Sequence, residues 1–388
     1  MTEILYRSQA LEVRRVRAGD GRRQVVTFDS YHEPPGFDRP SFGEAFFLAE
    51  GITAIHVMCH GNDWFQYPEM PSVLSLIREA CSDAERLMTY GSSMGGYAAL
   101  RFAAAIGAHS ALALSPQYSV DPRKARFETR WASDRRRIRF IQALEGRIAQ
   151  VPLMVLAYDS RLEIDTGHVS LLTAFNDVEG IPLPFAGHPV GPFLNDVGLL
   201  RPLVLSVLDR SFNQEYFRFT ARTRSRHSPH WLVNVAERHP RAHGDRAIAL
   251  ARRAVALAPD RPSLHDALGR LLAAAGRHEE AIEAHARAVA IEPIADYQWG
   301  LSKTLFEAGD LTGALEVAQR LQRLAPSTAG YHAWASRLRE MQGDLPGAIA
   351  DLRQARRRDP RNRGYRFGSW QLAWRLGHMR LRQALFGR

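Results

Sequence analysis

The sequence predicts an α/β domain with a mainly parallel sheet over residues 1–212, followed by an all-α domain over residues 213–388. The first prediction rests on short apolar runs, rich in β-forming residues, that alternate with amphipathic segments. Such alternation is typical of a parallel sheet with helices on both faces. The second rests on a repeat of 33 or 34 residues that begins where the strand-like runs end.

Six runs of the first domain have the composition of buried strands, and four segments have helical spacing. The predicted strands are residues 23–30, 51–59, 87–90, 110–114, 151–158 and 181–185. The predicted helices are residues 71–80, 96–106, 165–175 and 193–208. Residues 119–148, between two of the strands, are strongly charged and then amphipathic, which favours a cap inserted above the sheet.

The first domain is organised around residues 87–100. An apolar run leads into Gly-Ser-Ser-Met-Gly at 91–95, and an Ala- and Leu-rich run at helical spacing follows. This order of strand, sharp turn and helix exposes a serine nucleophile above a sheet. The pattern predicts Ser93 as the nucleophile and the backbone N–H of Met94 as an oxyanion donor. Ser92, the neighbouring hydroxyl, falls on a variable position of the motif.

A serine nucleophile needs a base, and the base needs a carboxylate that orients it. Residues 20–210 resemble the α/β-hydrolase superfamily in the motif, in the alternating elements and in the order serine, acid, histidine. The resemblance implies an acid after the strand at 151–158, where Asp159 stands, and a histidine after the last strand, where His188 stands. Asp165 is the alternative acid, unless it caps the helix that follows. His168, on that helix, is expected at the surface.

A second oxyanion donor is expected from the loop after the strand at 51–59. The dipeptide at 60–61 is similar to the His-Gly pair that many α/β-hydrolases carry there, so Gly61 or Asn62 would donate a backbone N–H. Trp64, Phe65 and Tyr67 follow in the same loop. They would either line the mouth of the substrate pocket or pack the loop onto the sheet.

The second domain carries a repeat in three residue types. Pro259, Pro293, Pro326 and Pro360 are spaced by 34, 33 and 34 residues, and Gly276, Gly309, Gly343 and Ala281, Ala314, Ala348 keep the same period. Two amphipathic helices with a glycine turn between them resemble a tetratricopeptide (TPR) repeat. Residues 361–388 are expected to form a capping helix. The resemblance implies a groove for a protein or peptide partner.

The charge is unevenly divided between the domains. Residues 1–212 hold 22 Lys and Arg against 24 Asp and Glu, so the remaining 29 against 17 put a net +12 on residues 213–388. Residues 123–139 carry eight basic and two acidic residues; they would either hold an anionic substrate group over Ser93 or form a solvated cap surface. The seven arginines of 353–366 form a solvated face or meet an acidic partner. Nucleic acid is not an expected partner.

Two cysteines give no disulfide framework, and Cys59 is expected in the core. The N-terminal residues lack the pattern of a signal peptide, and the sequence holds no apolar run of about 18 residues that would span a membrane. A cytoplasmic location is therefore expected. The sequence has no His and Cys cluster with zinc spacing and no glycine-rich phosphate loop, so neither a metal nor a cofactor is predicted.

These observations predict a serine hydrolase of the esterase or thioesterase type, acting through Ser93, His188 and Asp159 on a small-molecule acyl ester. Two alternatives remain open at this point. The same chemistry could transfer an acyl group to a glycan, because the elbow and the loop at 61–64 are distantly similar to the acetyltransferase-like component of accessory secretion systems. Otherwise the domain is inactive and the repeats scaffold a protein complex.

Overall fold

A computed structural model describes residues 2–32, 35–239 and 244–386. The chain divides into two compact units, Met1–Asn234 and Val235–Arg388. The first contains an eight-stranded sheet and the second is helical. Within the part of the chain that the structure describes, none of the helices has the length and apolar character needed to span a membrane.

The strands of the first unit are β1 (Thr2–Arg7), β2 (Leu11–Val16), β3 (Arg23–Phe28), β4 (Thr53–Cys59), β5 (Arg86–Ser92), β6 (Ser110–Leu114), β7 (Leu153–Tyr158) and β8 (Glu179–Pro182). Its helices are α1 (Glu44–Ala49), α2 (Met70–Ala80), α3 (Met94–Ile106), α4 (Ala132–Arg137), α5 (Glu163–Thr173), α6 (Gly191–Asp196), α7 (Leu200–Leu208) and α8 (Gln214–Arg224). A 3₁₀ turn at Ser225–His227 leads into α9 (Pro229–Arg238), within which the two units divide.

The strands are ordered β1-β2-β4-β3-β5-β6-β7-β8 across the sheet. From β4 to β8 every neighbouring pair is parallel, whereas β1 and β2 are antiparallel to their neighbours. The mainly parallel sheet is confirmed. The two N-terminal strands are not among the predicted ones. β1 lies at the sheet edge and is mostly exposed. β2 is mostly buried, but three charged residues interrupt its apolar pattern.

The first unit extends beyond the predicted boundary at residue 212, because α8 packs onto the sheet domain. Phe217 and Ala221 lie in the same buried cluster as the strand residues on this face of the sheet. The side-chain amide of Gln214 also donates to the carbonyl of Gly180, at the start of the edge strand β8, at 2.9 Å. The apolar face of α8 therefore belongs to the core of the first unit.

The turn between β5 and α3 holds Ser93 in a strained backbone conformation, with φ 53° and ψ −112°. Two glycines make this turn possible. A Cβ added at Gly91 would lie 2.1 Å from the carbonyl oxygen of Gly95, and one added at Gly95 would lie 2.3 Å from the carbonyl oxygen of Phe28, which ends β3. The first turn of α3 therefore rests on the backbone at the end of β3.

The second unit is an array of TPR-like helix pairs. Its helices are α10 (Asp245–Leu257), α11 (Pro262–Ala274), α12 (His278–Ile291), α13 (Ala295–Glu307), α14 (Leu311–Leu324), α15 (Ala329–Met341), α16 (Leu345–Arg358) and α17 (Arg363–Phe386). The turn glycines Gly276, Gly309 and Gly343 have φ of 74°, 86° and 82°, which only glycine adopts readily. Ala281, Ala314 and Ala348 are fully buried.

The same contact occurs within successive helix pairs. The hydroxyl of Ser302 donates to the carbonyl of Ala314 at 2.8 Å, and the hydroxyl of Ser336 donates to that of Ala348 at 2.7 Å. Each bond joins the first helix of a pair to the second. The repeat in the sequence therefore corresponds to a repeat in the packing: the same small residues let the two helices of each pair approach closely.

We expect Gly95→Ala to destabilise the first unit, because its new methyl group would overlap the carbonyl oxygen of Phe28. Overpacking of this kind costs about 1–3 kcal/mol, which corresponds to a fall of roughly 2–12 °C in melting temperature for a domain of this size. Differential scanning calorimetry measures it. Gly330→Ala, in α15, is the matched control, because no atom lies within 4 Å of its added Cβ; an equal effect of both substitutions would contradict the prediction.

Candidate active site

The structure brings Ser93 and His188 together at the carboxyl ends of the parallel strands. Ser93 Oγ lies 2.9 Å from His188 Nε2. His188 Nδ1 lies 2.9 and 3.1 Å from the two carboxylate oxygens of Asp165. Because an ionised carboxylate only accepts, Nδ1 carries the ring proton and Nε2 is free to accept the serine proton. The three groups have the contacts of a nucleophile, a base and an orienting acid.

The acid in this chain of hydrogen bonds is Asp165, not the predicted Asp159. The carboxylate of Asp159 is fully buried and accepts backbone N–H bonds from Arg161, Phe185 and Gly187 at 2.8–2.9 Å. It thereby holds the segment that leads to His188. The alternative that Asp165 caps the following helix is also excluded, because Asp165 lies inside the first turn of α5.

Besides His188, the carboxylate of Asp165 contacts a buried ionic network formed by Arg130, Glu128 and His168. The guanidinium of Arg130 donates to Asp165 at 2.7 Å and to both carboxylate oxygens of Glu128. Glu128 also accepts from His168 Nε2 at 3.0 Å, while His168 Nδ1 accepts the backbone N–H of Tyr118. The expectation that His168 is a surface residue is therefore wrong: its side chain is fully buried.

The network keeps its carboxylates ionised. Burial raises the pKa of Asp165, but the hydrogen bond and charge of His188 and the charge of Arg130 outweigh burial and leave that pKa below its usual value. Burial likewise raises the pKa of Glu128, whereas the hydrogen bonds from His168 and Arg130 lower it to about 2. Burial lowers the pKa of His168, which favours the neutral ring that its two bonds require.

The N-terminus of α3 supplies one candidate oxyanion donor. Met94 is the first residue of that helix, so its N–H has no acceptor within the helix. A second candidate donor is the segment after β3, while the predicted donor at Gly61 or Asn62 stays a prediction. β3 pairs directly with the elbow strand β5, with Phe28 opposite Gly91. The carbonyl oxygens of Phe28 and Asp29 lie against Gly95 in the first turn of α3, and Ser30 and Tyr31 follow in the chain.

Gly61 and Asn62 lie one strand further away, because β4 is separated from β5 by β3. The side chain of Asn62 nevertheless supports the loop that follows β3. Its Oδ1 accepts the backbone N–H of His32 at 3.0 Å, and its Nδ2 donates to the carbonyl of His32 at 2.8 Å. The side chain of Asn62 therefore holds the backbone of the loop after β3.

Trp64, Phe65 and Tyr67 pack the loop onto the sheet. Trp64 and Phe65 are fully buried, and Tyr67 is 8% exposed. Phe65 contacts Phe28 edge to face, with ring centroids 5.4 Å apart. Both Trp64 and Phe65 have positive φ, at 49° and 55°, a conformation that costs free energy in non-glycine residues. The sequence left two interpretations open, and the structure shows the second one: these three side chains pack the loop onto the sheet.

The charged segment between β6 and β7 contains only one short helix, α4, in the part of the chain that the structure describes. Several of its arginines are engaged within the protein. Besides Arg130, Arg135 donates to the carbonyls of Val120 and Ala125, and Arg137 pairs with Asp63 and Asp134. Arg130 and Arg137 are thus neutralised by carboxylates and are not free to hold an anionic group.

Asp29 and His32, in the loop after β3, and Cys59, at the end of β4, form a cluster of possible metal ligands. Arg39 lies among these residues. Its guanidinium donates to both oxygens of Asp29, to His32 and to the carbonyl of Cys59. Burial raises the pKa of the Cys59 thiol well above its usual value. A protonated thiol and a resident guanidinium do not fit a bound cation.

The second unit contains a groove with a cavity of about 830 Å³ between α11, α12 and α13. Its lining includes Asp266, Arg270, His285, Tyr297, Trp299 and Lys303. His285 is 1% exposed and its Nδ1 lies 3.1 Å from Asp266 Oδ1. The groove presents aromatic surface with charges of both signs.

Several solved structures resemble part of the chain. No family model and no curated protein matches the chain. Among solved structures, YrrB, described as a TPR protein with an unusual peptide-binding site, is 17% identical over 34% of this chain and 69% of its own, with a TM-score of 0.31. MamA from Desulfovibrio magneticus RS-1 is 16% identical over 38% of this chain and 85% of its own, with a TM-score of 0.35.

A third solved structure is the first TPR of Spaghetti (RPAP3) bound to an HSP90 peptide. It is 14% identical over 30% of this chain and 94% of its own, with a TM-score of 0.29. Likenesses this weak carry no conclusion about a ligand or an activity. The functional interpretation therefore rests on the contacts described above.

We expect Asp165→Asn to lower the rate at which a fluorophosphonate reacts with Ser93 far more than Asp159→Asn does. An amide at position 165 stabilises the wrong imidazole tautomer and no longer balances the developing positive charge, which costs about 10³–10⁴-fold in rate. Asp159→Asn keeps one acceptor for the backbone N–H groups and leaves Asp165 in place. The rate of labelling by a fluorophosphonate, measured for both folded variants, checks the ranking, and a larger loss in Asp159→Asn would overturn it.

Proposed function

We propose that the first unit is a serine-dependent acyl-transferring enzyme of the esterase or thioesterase type. The observation that carries the proposal is the continuous hydrogen-bonded chain from Ser93 Oγ through His188 to Asp165, built on a strained turn whose serine is next to a helix N-terminus. Residues in such turns need surrounding structure to hold them, and they are concentrated at functional sites.

The geometry supports a two-step reaction. Ser93 Oγ attacks the acyl carbon while His188 Nε2 takes the hydroxyl proton, and the leaving alcohol or thiol departs with that proton. Asp165 keeps the imidazole oriented and balances its positive charge. The N–H of Met94, with a donor from Ser30–Tyr31, would bind the oxyanion of each tetrahedral intermediate.

In the second step an acceptor hydroxyl attacks the acyl carbon. His188 takes the proton of the acceptor, the bond from the acyl carbon to Ser93 Oγ breaks, and the proton returns to Oγ. Water as acceptor makes the enzyme a hydrolase, and an alcohol makes it an O-acyltransferase. An inactive scaffold is disfavoured, because His188 is within hydrogen-bond distance of Ser93.

For the second unit we propose protein or peptide binding through the groove of α11, α12 and α13. Aromatic surface from Tyr297 and Trp299, with Arg270 and Lys303 beside Asp296 and Glu307, offers both apolar and charged contacts to an extended or helical segment. The activity of the first unit does not depend on this proposal.

We expect an active-site-directed fluorophosphonate to label the wild-type chain and not Ser93→Ala. Ser92→Ala is the matched control, because it removes the neighbouring hydroxyl without touching the nucleophile, and it should be labelled like the wild type. Labelling is read by in-gel fluorescence on protein whose folding is verified by circular dichroism. An unlabelled, folded wild type, or labelling that persists in Ser93→Ala, would refute the proposed chemistry.

A further inference from the structure

We propose that the outer face of α17 binds the surface of an anionic lipid membrane. The outer face is the side of this helix that carries Arg363, Arg366, Phe367, Trp370 and Trp374. Membrane binding there belongs to the second unit and does not depend on the acyl-transfer chemistry proposed for the first. The groove of α11, α12 and α13 takes no part in it.

α17 has apolar side chains on two opposite sides. Leu372 is buried together with residues of α16, and Leu376 packs against the same cluster. Phe367, Trp370 and Trp374 are 58%, 65% and 61% exposed. Because residues three, four and seven apart lie on one side of a helix, these three rings form a single stripe, opposite Leu372 and Leu376. The inner stripe holds α17 onto α16, and the outer stripe is open to solvent.

The outer stripe is more than a set of scattered exposed residues. The rings of Phe367 and Trp370 contact each other, with centroids 6.3 Å apart, and Trp374 lies one turn beyond Trp370. Single exposed apolar residues are common on protein surfaces, whereas a contiguous patch with polar residues at its rim marks an interaction site. The stripe therefore calls for a binding partner.

The charge around the stripe is strongly positive. From residue 353 to residue 379 the sequence has eight arginines and one acidic residue, Asp359. Six of the arginines are exposed and form no ion pair within the part of the chain that the structure describes: Arg353, Arg356, Arg357, Arg361, Arg363 and Arg366. Arg363 and Arg366 lie one helical turn before Phe367 and Trp370. Of the two interpretations of the arginines at 353–366, an acidic partner fits this arrangement.

Exposed aromatic rings interleaved with arginines match the chemistry of an anionic membrane surface. Tryptophan is favoured at the level of the lipid head groups, where its ring is in apolar surroundings and its N–H stays hydrated. Arginines near such a surface are attracted to the anionic lipids. Because more than half of each ring on the outer face is exposed, the rings can enter a deformable lipid surface without a matching cavity.

Two other partners fit this face less well. A second copy of the chain would bring the same arginines to the contact, where like charges repel. A nucleic-acid strand stacks its bases on separate exposed rings, whereas Phe367 and Trp370 cover part of each other.

The test measures how the full chain binds to lipid vesicles. The vesicles contain either phosphatidylcholine alone or equal parts of phosphatidylcholine and the anionic lipid phosphatidylglycerol, and bound protein is separated by flotation in a density gradient. The wild-type chain should float with the anionic vesicles and much less with the neutral ones. Added salt should weaken the binding, because it screens the charge of the arginines.

Two double variants remove the aromatic and the basic part of the face separately. Trp370→Ser with Trp374→Ser should weaken binding to the anionic vesicles at least about 10-fold, because the apolar surface of two indoles no longer leaves water. Arg363→Gln with Arg366→Gln should weaken it roughly 25-fold, since each arginine near an anionic surface contributes about a factor of five. All four side chains are exposed, so both variants should fold, and circular dichroism verifies it.

Phe219→Ser, and Arg287→Gln with Arg320→Gln, are the matched controls. Phe219 is 70% exposed on α8, and Arg287 and Arg320 are exposed on α12 and α14. These changes remove exposed aromatic surface and the same amount of charge elsewhere in the chain, and they should leave flotation unchanged.

A folded wild type that does not float with anionic vesicles, or equal flotation of every variant, overturns the proposal. Without flotation, self-association that only the tryptophan variant loses would assign the face to a second copy of the chain. Oligonucleotide binding that the arginine variant loses, again without flotation, would assign it to nucleic acid. Both results also overturn membrane binding, and neither bears on the labelling of Ser93.

Discussion

The close approach of two backbones at the elbow is the constraint on which the candidate site depends. Because Gly95 has no side chain, the first turn of α3 can rest against the carbonyl oxygen of Phe28. One contact therefore positions three features together: the hydroxyl of Ser93, the N–H groups at the start of α3, and the segment that follows β3. A helix displaced by one methyl group would move the nucleophile away from both candidate oxyanion donors.

The elbow itself could be predicted from the sequence, because its requirements are local. A strand, two glycines at fixed spacing and a helix follow one another along the chain, and the strain at Ser93 follows from that spacing. The histidine was also predictable, because it lies in the loop after the last strand. The TPR-like repeat was predictable for a similar reason: each unit repeats the same turn and the same small residues, so the period itself is the signal.

The choice between Asp159 and Asp165 could not be made from the sequence, because it depends on arrangement in space. Asp159 ends its strand and is fully buried, but backbone N–H groups occupy its carboxylate. Asp165 reaches His188 only because β7 continues into a loop that returns at the start of α5. The His-Gly pair at 60–61 predicts a donor in the loop after β4, whereas β3 lies between β4 and the elbow strand β5.

The hydrogen bonds around Asp165 hold the orienting acid in place for the base. Around Asp165, the network of Arg130, Glu128 and His168 engages both nitrogens of His168 and both oxygens of Glu128, which makes a rigid, preorganised support for the base. Because these groups already bond to one another, turning the imidazole of His188 away from Ser93 would also disturb the buried charge-assisted hydrogen bonds that hold Asp165.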